Sequence, residues 1–288
     1  MIQLIVNPVA GNGRARKVGE MALAYLQSKN IDHELVFTEY VGHATELARS
    51  AAQNGRETVI AVGGDGTVAE TAAGLMHTEC AMGILPAGTG NDFIKSLGIP
   101  KNGQSALEFL LSHPPRAIDA GLMDERFFMN IGGSGFDVMV LDYALIAKKH
   151  MKGMLPYLYG VLRAIKNFTP YEMHIEIGKD IRLDGKFLIC SIANGMFFGG
   201  GIPIAPQADV ADGLFDIIVV DAMPRWKIPF YLPGLLAGKI LSYKVSRHYR
   251  SNTASMSANG MRINLDGEII QMEKAAFTCV RNALRVHW

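Results

Sequence analysis

This chain is poor in the features that mark secretion, metal scaffolds and strongly charged partners. Its three cysteines, Cys80, Cys190 and Cys279, lie far apart and form no C-x-x-C pair. That excludes a disulfide scaffold and a zinc ribbon and points to buried thiols in a reducing compartment. The eight histidines never form H-E-x-x-H, so a zincin is excluded. Neither sign of charge is in excess: 28 Lys+Arg against 27 Asp+Glu leave a net charge of +1. A protein that binds nucleic acid through its overall charge is far more basic, so nucleic acid is not expected as a partner. The N-terminus has no basic n-region, its first basic residue being Arg14, and no signal peptide is expected. The longest charge-free run, Phe187 to Ala208, holds Gly199-Gly200-Gly201, Pro203 and Pro206 and cannot form one spanning helix. The expectation is a cytoplasmic protein whose membrane contact is at most peripheral, at the inner face. What the sequence does have is core material. Of its 288 residues 49% are hydrophobic and 19% charged, enough for about two domains at roughly 150 residues each.

The first part alternates strand and helix. Leu4–Val6, Glu34–Phe37, Thr58–Val62 and Met82–Leu85 read as short apolar strands. Arg14–Lys29, His43–Gln53, Thr67–Met76, Asp92–Leu97 and Gln104–Ser112 read as helices. Buried strands alternating with helices predict a parallel sheet. After Pro114-Pro115 strands dominate: Ala117–Met123, Phe127–Ile131, Met173–Ile177, Phe187–Ala193, Phe215–Val220, Lys244–Tyr249, Arg262–Leu265 and Ala276–Val280. They are divided by turns such as Asp184-Gly185 and Asp266-Gly267. Helices interrupt them at Val138–Lys149, Leu155–Asn167 and Trp226–Leu241. The predicted architecture is an N-terminal parallel-sheet α/β nucleotide-binding domain over 1–122 and an antiparallel β-sandwich over 123–280, with about 281–288 packing back on the first.

The chemistry is concentrated in three glycine-bearing loops. Gly63-Gly64-Asp65-Gly66-Thr67 sits between a strand and a helix, where open backbone N–H groups and about half a positive charge from the helix make a phosphate site. Thr67 could cap that helix or bond a phosphate oxygen. The carboxylate of Asp65 does not suit a pure anion site and implies Mg²⁺ or a sugar hydroxyl. Asn7-Pro8-Val9-Ala10-Gly11-Asn12-Gly13 and Pro86-Ala87-Gly88-Thr89-Gly90-Asn91-Asp92-Phe93 follow two other parallel strands, and ligands bind at the carboxyl ends of such strands. The P-loop pattern is absent. G-x-G-x-x-G fails at Gly11-Asn12-Gly13 because Arg16 holds the third glycine position, and at Gly88-Thr89-Gly90 because Phe93 does. Gly132-Gly133-Ser134-Gly135-Phe136 is no G-x-S-x-G elbow.

In this order the three loops resemble the catalytic domain of the diacylglycerol kinase family, specifically its soluble bacterial lipid-kinase branch. That branch is similar to sphingosine and ceramide kinases and, more distantly, to NAD kinases and phosphofructokinases. The resemblance runs from Asn7 to Glu268, nearly the whole chain. It implies an α/β nucleotide domain plus a β-sandwich with the active site between them, and transfer of the ATP γ-phosphoryl group to a lipid hydroxyl with Mg²⁺. Carried over, the nucleotide contacts fall on Asn7, Pro8, Gly11, Thr38, Gly63, Gly64, Asp65, Gly66, Thr67, Glu70, Gly88, Thr89 and Asn91. The catalytic pair becomes Asp65 and, as base, Glu268 of Asp266-Gly267-Glu268. A structural Mg²⁺ loop becomes Asp209-Val210-Ala211-Asp212-Gly213-Leu214, with Asp209, Asp212 and Leu214 supplying oxygens.

Several alternatives stay open at this stage. Asp92 and Asp119 could join Asp65 in an acidic network that orders water and Mg²⁺, or Asp119 could be a turn residue. Asp266 could be the base, although Asp-Gly turn geometry accounts for it. Trp226–Tyr243, with flanking Arg225, Lys227, Lys239 and Lys244, could meet a membrane interface or pack on the sandwich. The same choice applies to Met151–Phe168. Rival functions are a soluble-substrate kinase of the NAD kinase type and a non-catalytic nucleotide-binding regulator. The identity of the lipid and the oligomeric state, a homodimer included, are not legible.

Overall fold

The structure, a computed structural model, describes residues 1–151 and 155–288. The chain divides into two compact units, Met1–Ala120 with Arg281–Trp288, and Gly121–Val280.

The first unit is built on β1 (Ile2–Val6), α1 (Arg14–Ser28), β2 (His33–Phe37), α2 (His43–Gln53), β3 (Thr58–Gly63), α3 (Asp65–Leu75), β4 (Ala81–Pro86), α4 (Phe93–Ser96) and α5 (Gly103–Ser112). Its strands run parallel in the order β2-β1-β3-β4. Every residue of β3 and β4 is buried, as expected of apolar runs covered on both faces. The register brings Val6 opposite Val62 and Gly63 opposite Pro86. The carboxyl ends of β1, β3 and β4 are therefore neighbours, and the three loops of interest leave from one sheet edge. At the other end of the order the chain terminus adds a parallel strand to β4, with Arg285 opposite Ala81.

The helix after β3 begins two residues earlier than its sequence suggests, at Asp65 rather than Thr67. Asp and Gly are poor helix formers, but an acidic side chain in the first turn is favoured by the helix dipole. Thr67 consequently lies inside the first turn and is not the cap. Gly64 is, with no side chain capping the free N–H groups.

The second unit begins within β5 (Pro115–Met123). Its elements are β6 (Arg126–Phe128), β7 (Ile131–Gly135), α6 (Phe136–Ala147), α7 (Leu155–Asn167), β8 (Glu172–Ile177), β9 (Ile181–Ala193), β10 (Phe197–Phe198), β11 (Ile202–Pro203), β12 (Phe215–Asp221), α8 (Ile228–Leu236), β13 (Ser246–Ser251), β14 (Thr253–Ser257), β15 (Arg262–Leu265), β16 (Glu268–Gln271) and β17 (Lys274–His287), whose last residues lie in the first unit. Pairing is antiparallel, in the order β16-β15-β7-β9-β8-β14-β17, with β12 between β9 and β13. The first half of β9 alternates half-buried and exposed residues beside β8. Its second half is buried throughout, paired with both β7 and β12. Phe128, Phe215 and Phe277 meet in the core, with ring centroids 5.6 and 6.0 Å apart.

The structure corrects three local expectations. The strand expected over Phe127–Ile131 is two strands, because the carboxylate of Asp266 takes the backbone N–H groups of Met129, Asn130 and Ile131. The helix expected over Trp226–Leu241 shortens to α8 between two 3₁₀ turns, with Pro233 inside it and Gly238 at positive φ beyond it. The strands β14 and β16 carry too few apolar residues to be marked in the sequence.

Candidate active site

In the first unit the three loops are fastened to each other. Asn7 Nδ2 donates to Thr67 Oγ1 (3.1 Å), and Asn7 Oδ1 accepts from Val9 N (3.3 Å). Ala87 N and Gly88 N both donate to Gly63 O, at 2.7 and 3.0 Å. The backbones of Gly64 and Gly88 pass face to face. A Cβ on Gly64 would lie 3.2 Å from the Gly88 Cα, and one on Gly88 would overlap Gly64. Gly11, at φ 60°, passes the carbonyl of Ala87 so closely that any Cβ would overlap it. Pro8 is half-buried beside it, and Thr89 is exposed at the rim. Asn91 locks the third loop, its Oδ1 accepting from Gly88 N (3.1 Å) while its Nδ2 donates to Gly88 O (3.0 Å).

The sequence reading missed two cations here. Arg14 Nε donates to Ala87 O (3.1 Å) and its Nη2 to Gly88 O, bracing the third loop from the start of α1. A cation at a helix N-terminus opposes the dipole, and that misfit was the available signal. Lys95 pairs with Asp92 at 2.6 Å, a contact that their i, i+3 spacing allows.

Asp65 lies where these parts meet. Its Oδ1 accepts from Asp92 N and its Oδ2 from Asn91 N, both at 2.7 Å. Burial, and next the charge of Asp92, raise its pKa, against backbone hydrogen bonds from Asp92, Asn91 and Phe93. A Cβ on Gly90 would lie 2.8 Å from Asp65 Oδ2 and 3.8 Å from Asp92 Oδ2, so both carboxylates present an oxygen beside the same backbone. Mg²⁺ is commonly held by one or two carboxylates plus substrate phosphates, and this pair beside an open helix N-terminus fits that pattern.

Other expected residues have different partners. Glu70 Oε2 accepts from Ala44 N (3.3 Å) and its carbonyl from Thr45 Oγ1 (2.8 Å), tying α3 to the start of α2. Thr38 is buried just after β2, its N–H on Val6 O (2.9 Å). Asp119 is 1% exposed and accepts from Asn282 N (2.8 Å), at a residue of positive φ. Among the described residues no three acidic, His or Cys side chains form a metal-holding group, so Asp119 does not complete such a set with Asp65 and Asp92.

In the second unit Asp266 and Gly267 are the two loop residues of the β15–β16 hairpin. Their φ values of 48° and 98° are those of a type I′ turn. The Asp266 carboxylate accepts from Met129 N (2.6 Å), Asn130 N (3.0 Å) and Ile131 N (2.8 Å). Glu268, the next carboxylate, is exposed at the first position of β16. Asp266 thus fastens the turn, and Glu268 is the exposed carboxylate beside it.

The loop Asp209–Leu214 is closed on itself. Asp209 Oδ1 accepts from Ala211 N (3.0 Å), Asp212 Oδ1 accepts from Leu214 N (2.9 Å), and Asp212 Oδ2 is paired with the Arg250 guanidinium. A cation at Asp212 would have to displace Arg250, so this donor set does not fit Mg²⁺ as it stands.

The segment expected at a membrane or in the core is part buried and part exposed. Ile228, Leu235 and Ile240 are buried in a cluster with Phe136 and Phe168. Trp226, Phe230 and Leu236 are 67%, 71% and 62% exposed. Arg225 donates to the carbonyls of Phe168 (2.8 Å) and Lys166 (2.9 Å) and to Thr169 Oγ1, so it is a clamp between segments. Within Met151–Phe168, residues 152–154 lie outside the described residues. Leu155, Leu158 and Leu162 are exposed along α7. No described helix is long and apolar enough to cross a membrane.

Comparison with known proteins agrees with this division. Residues 1–123 match the diacylglycerol kinase catalytic domain, and residues 131–288 match the YegS C-terminal NAD kinase beta sandwich-like domain. A diacylglycerol kinase of Mycobacterium tuberculosis is 27% identical over 99% of this chain and 94% of its own length. A Chromohalobacter salexigens protein named "probable lipid kinase YegS-like" is 35% identical over 73% of this chain and 69% of its own length. In fold, a crystal structure of a diacylglycerol kinase from Bacillus anthracis superposes with TM-score 0.74 at 20% identity, covering 100% of this chain and 96% of that one. An Archaeoglobus fulgidus NAD kinase solved with ATP superposes with TM-score 0.53 at 12% identity, covering 100% and 94%. The glycine loops, the sandwich and these relatives lead to one conclusion: the chain belongs to the diacylglycerol kinase and YegS-like family of lipid kinases.

Proposed function

We propose that this protein transfers the γ-phosphoryl group of ATP to the hydroxyl of a diacylglycerol-like lipid. One observation carries the reading: three loops bonded to each other at one sheet edge, around the uncapped start of α3 and the Asp65–Asp92 pair. Open N–H groups and the helix dipole bind the phosphates. Arg14 and Asn91 keep the third loop in place. Mg²⁺, held at Asp65 and Asp92, would supply charge neutralisation on the phosphates.

Glu268 takes the proton of the lipid hydroxyl. The hydroxyl oxygen then bonds the γ-phosphorus, and the bond to the bridging oxygen breaks, leaving ADP with those electrons. Asp266 holds the turn on which Glu268 stands. Transfer of label from γ-labelled ATP into diacylglycerol in mixed micelles, lost in Glu268→Gln, tests this. Transfer that survives in Glu268→Gln, or label found in no lipid, contradicts it.

The exposed Trp226, Phe230 and Leu236 are proposed as the surface that meets the lipid. No acidic residue lies between Asp221 and Asp266, while Lys227, Lys239 and Lys244 do. Each such cation is worth up to about 1 kcal/mol at an anionic surface. Trp226→Ser with Phe230→Ser should weaken sedimentation with phosphatidylglycerol vesicles and spare turnover of a short-chain soluble diacylglycerol. Unchanged vesicle binding removes the surface from the account.

A further inference from the structure

The loop before β12 carries the acidic residues expected around Mg²⁺, and a side-chain cation already stands among them. In the antiparallel pair of β12 and β13, Asp216 is directly opposite Arg250 and Ile218 opposite His248. Opposite residues of such a pair project to the same face, and so do residues two apart on one strand. Register therefore brings Arg250 and His248 to the face of β12 that holds Asp216. That face begins at the foot of the Asp209–Leu214 loop, because β12 starts at Phe215.

The Arg250 guanidinium meets two carboxylates there. Its Nη2 pairs with Asp212 Oδ2, and its Nε lies 3.9 Å from Asp216 Oδ2. Asp216 is 1% exposed, and its Oδ2 has no hydrogen-bond partner among the described residues. Its Oδ1 lies 2.6 Å from His248 Nε2. A buried carboxylate is costly unless a cation faces it, and Arg250 faces this one.

Asp212 is occupied at both oxygens. Oδ1 accepts from Leu214 N (2.9 Å), closing a turn in which Gly213 has a φ of 80°, and Oδ2 ties that turn to β13. On either side of the turn Val210 and Phe215 are buried. The loop is thus anchored at both ends by apolar side chains and drawn in at its middle by the ion pair. Mg²⁺ needs a near-octahedral set of oxygens at about 2.0–2.1 Å. At Asp212 Oδ2 it would stand against a positive charge that the β12–β13 register fixes in place.

We propose that Arg250 is the resident cation of this loop: its guanidinium, between Asp212 and Asp216, holds the Asp209–Leu214 turn in place of a structural divalent cation. This inference is independent of the phosphoryl-transfer reading. Where both hold, the Mg²⁺ requirement of the protein is that of its phosphate site alone. Removal of the guanidinium leaves Asp212 Oδ2 and Asp216 Oδ2 facing the space it vacated. Two carboxylates in that position call for a cation, and a divalent one takes over.

The test is the melting temperature of the full-length, nucleotide-free protein in chelator, in Mg²⁺ and in Ca²⁺, at matched ionic strength. The parent and every variant carry Asp65→Ala, so that metal at the phosphate site adds nothing to the readout. The parent should melt at one temperature in all three solutions. Arg250→Ala should melt a few degrees lower in chelator, the scale of one lost charge-assisted contact at this chain length. It should recover part of that fall in Mg²⁺ or Ca²⁺, because a cation that binds only the folded state raises the melting temperature. Arg250→Lys keeps the charge and should stay indifferent to metal. Asp212→Asn combined with Arg250→Ala should lose the recovery. A parent that melts lower in chelator overturns the proposal, since a metal then holds the loop beside Arg250. Arg250→Ala that melts with the parent, or that is destabilised yet blind to both metals, overturns it as well. If Arg250→Ala does not fold, Arg250→Gln, which keeps N–H donors without the charge, is measured in its place.

Discussion

The two units build their candidate sites in opposite ways. In the first, the candidate phosphate site is mostly backbone, and its central carboxylate, Asp65, is held by the backbone N–H groups of Asn91 and Asp92. In the second, the candidate group is an exposed side chain, Glu268, on a two-residue turn that Asp266 and Asn264 hold from beneath. A backbone site needs glycine wherever two chains pass closely, so it leaves a dense local pattern. A side-chain site on a hairpin needs one carboxylate and a distributed set of supports, and it leaves almost none.

This contrast can be broken at each side. Glu268→Gln should have the largest effect, a loss of 10²–10⁴-fold in turnover, the usual range for a general base, with ATP affinity unchanged by calorimetry. Gly88→Val should act on the other side. Its Cβ would overlap Gly64 and come within 2.8 Å of Asn91 Oδ1. Overpacking of this kind costs typically 1–3 kcal/mol, so ATP binding should weaken about 10- to 100-fold while the sandwich is untouched. Asp65→Ala should raise the ATP and Mg²⁺ requirements together by roughly ten-fold, since a charge-assisted contact is worth about 1.5–3 kcal/mol. Titration of ATP at several Mg²⁺ concentrations reads both, and an unchanged Mg²⁺ requirement removes the metal from Asp65.

The smallest effect is on stability. The carboxyl of Asp137 rises from 3.8 to about 6 on folding. A raised folded value means its favourable contribution is complete below about 3.8 and lost as pH rises through about 6. The melting temperature of Asp137→Leu relative to wild type should therefore increase between pH 4 and pH 8, by a few degrees at this chain length. A gap independent of pH contradicts the buried, shifted carboxyl.

Much of the fold was legible because its signals are local. The α/β part was visible in apolar runs of strand length, and α2 and α7 begin and end where periodicity puts them. The sandwich was visible in its Asp266-Gly267 turn, but Asp184-Gly185, expected to be another turn, lies inside β9 paired with β8; β14 and β16 were missed, and Gly132–Gly135, which the sequence marks only as no nucleophile elbow, is part of a strand. There glycine is required by close contact: a Cβ on Gly133 would lie 2.7 Å from Cys190 O. In the site, the glycine loops and Asp65 were legible. Arg14 and Lys95 were not, because their partners are backbone carbonyls and a neighbouring side chain rather than a motif. Glu70 was carried over from the family pattern, yet its carboxylate bonds α2.

The central claim is that the phosphates bound by the first unit are delivered to a lipid hydroxyl. The direct measurement is product identification by mass after incubating the wild-type protein and γ-labelled ATP with diacylglycerol micelles or, separately, with NAD. The account requires labelled phospholipid in the first and no labelled dinucleotide in the second. Labelled NADP without labelled lipid would contradict it and make this chain a soluble-substrate kinase on the same fold.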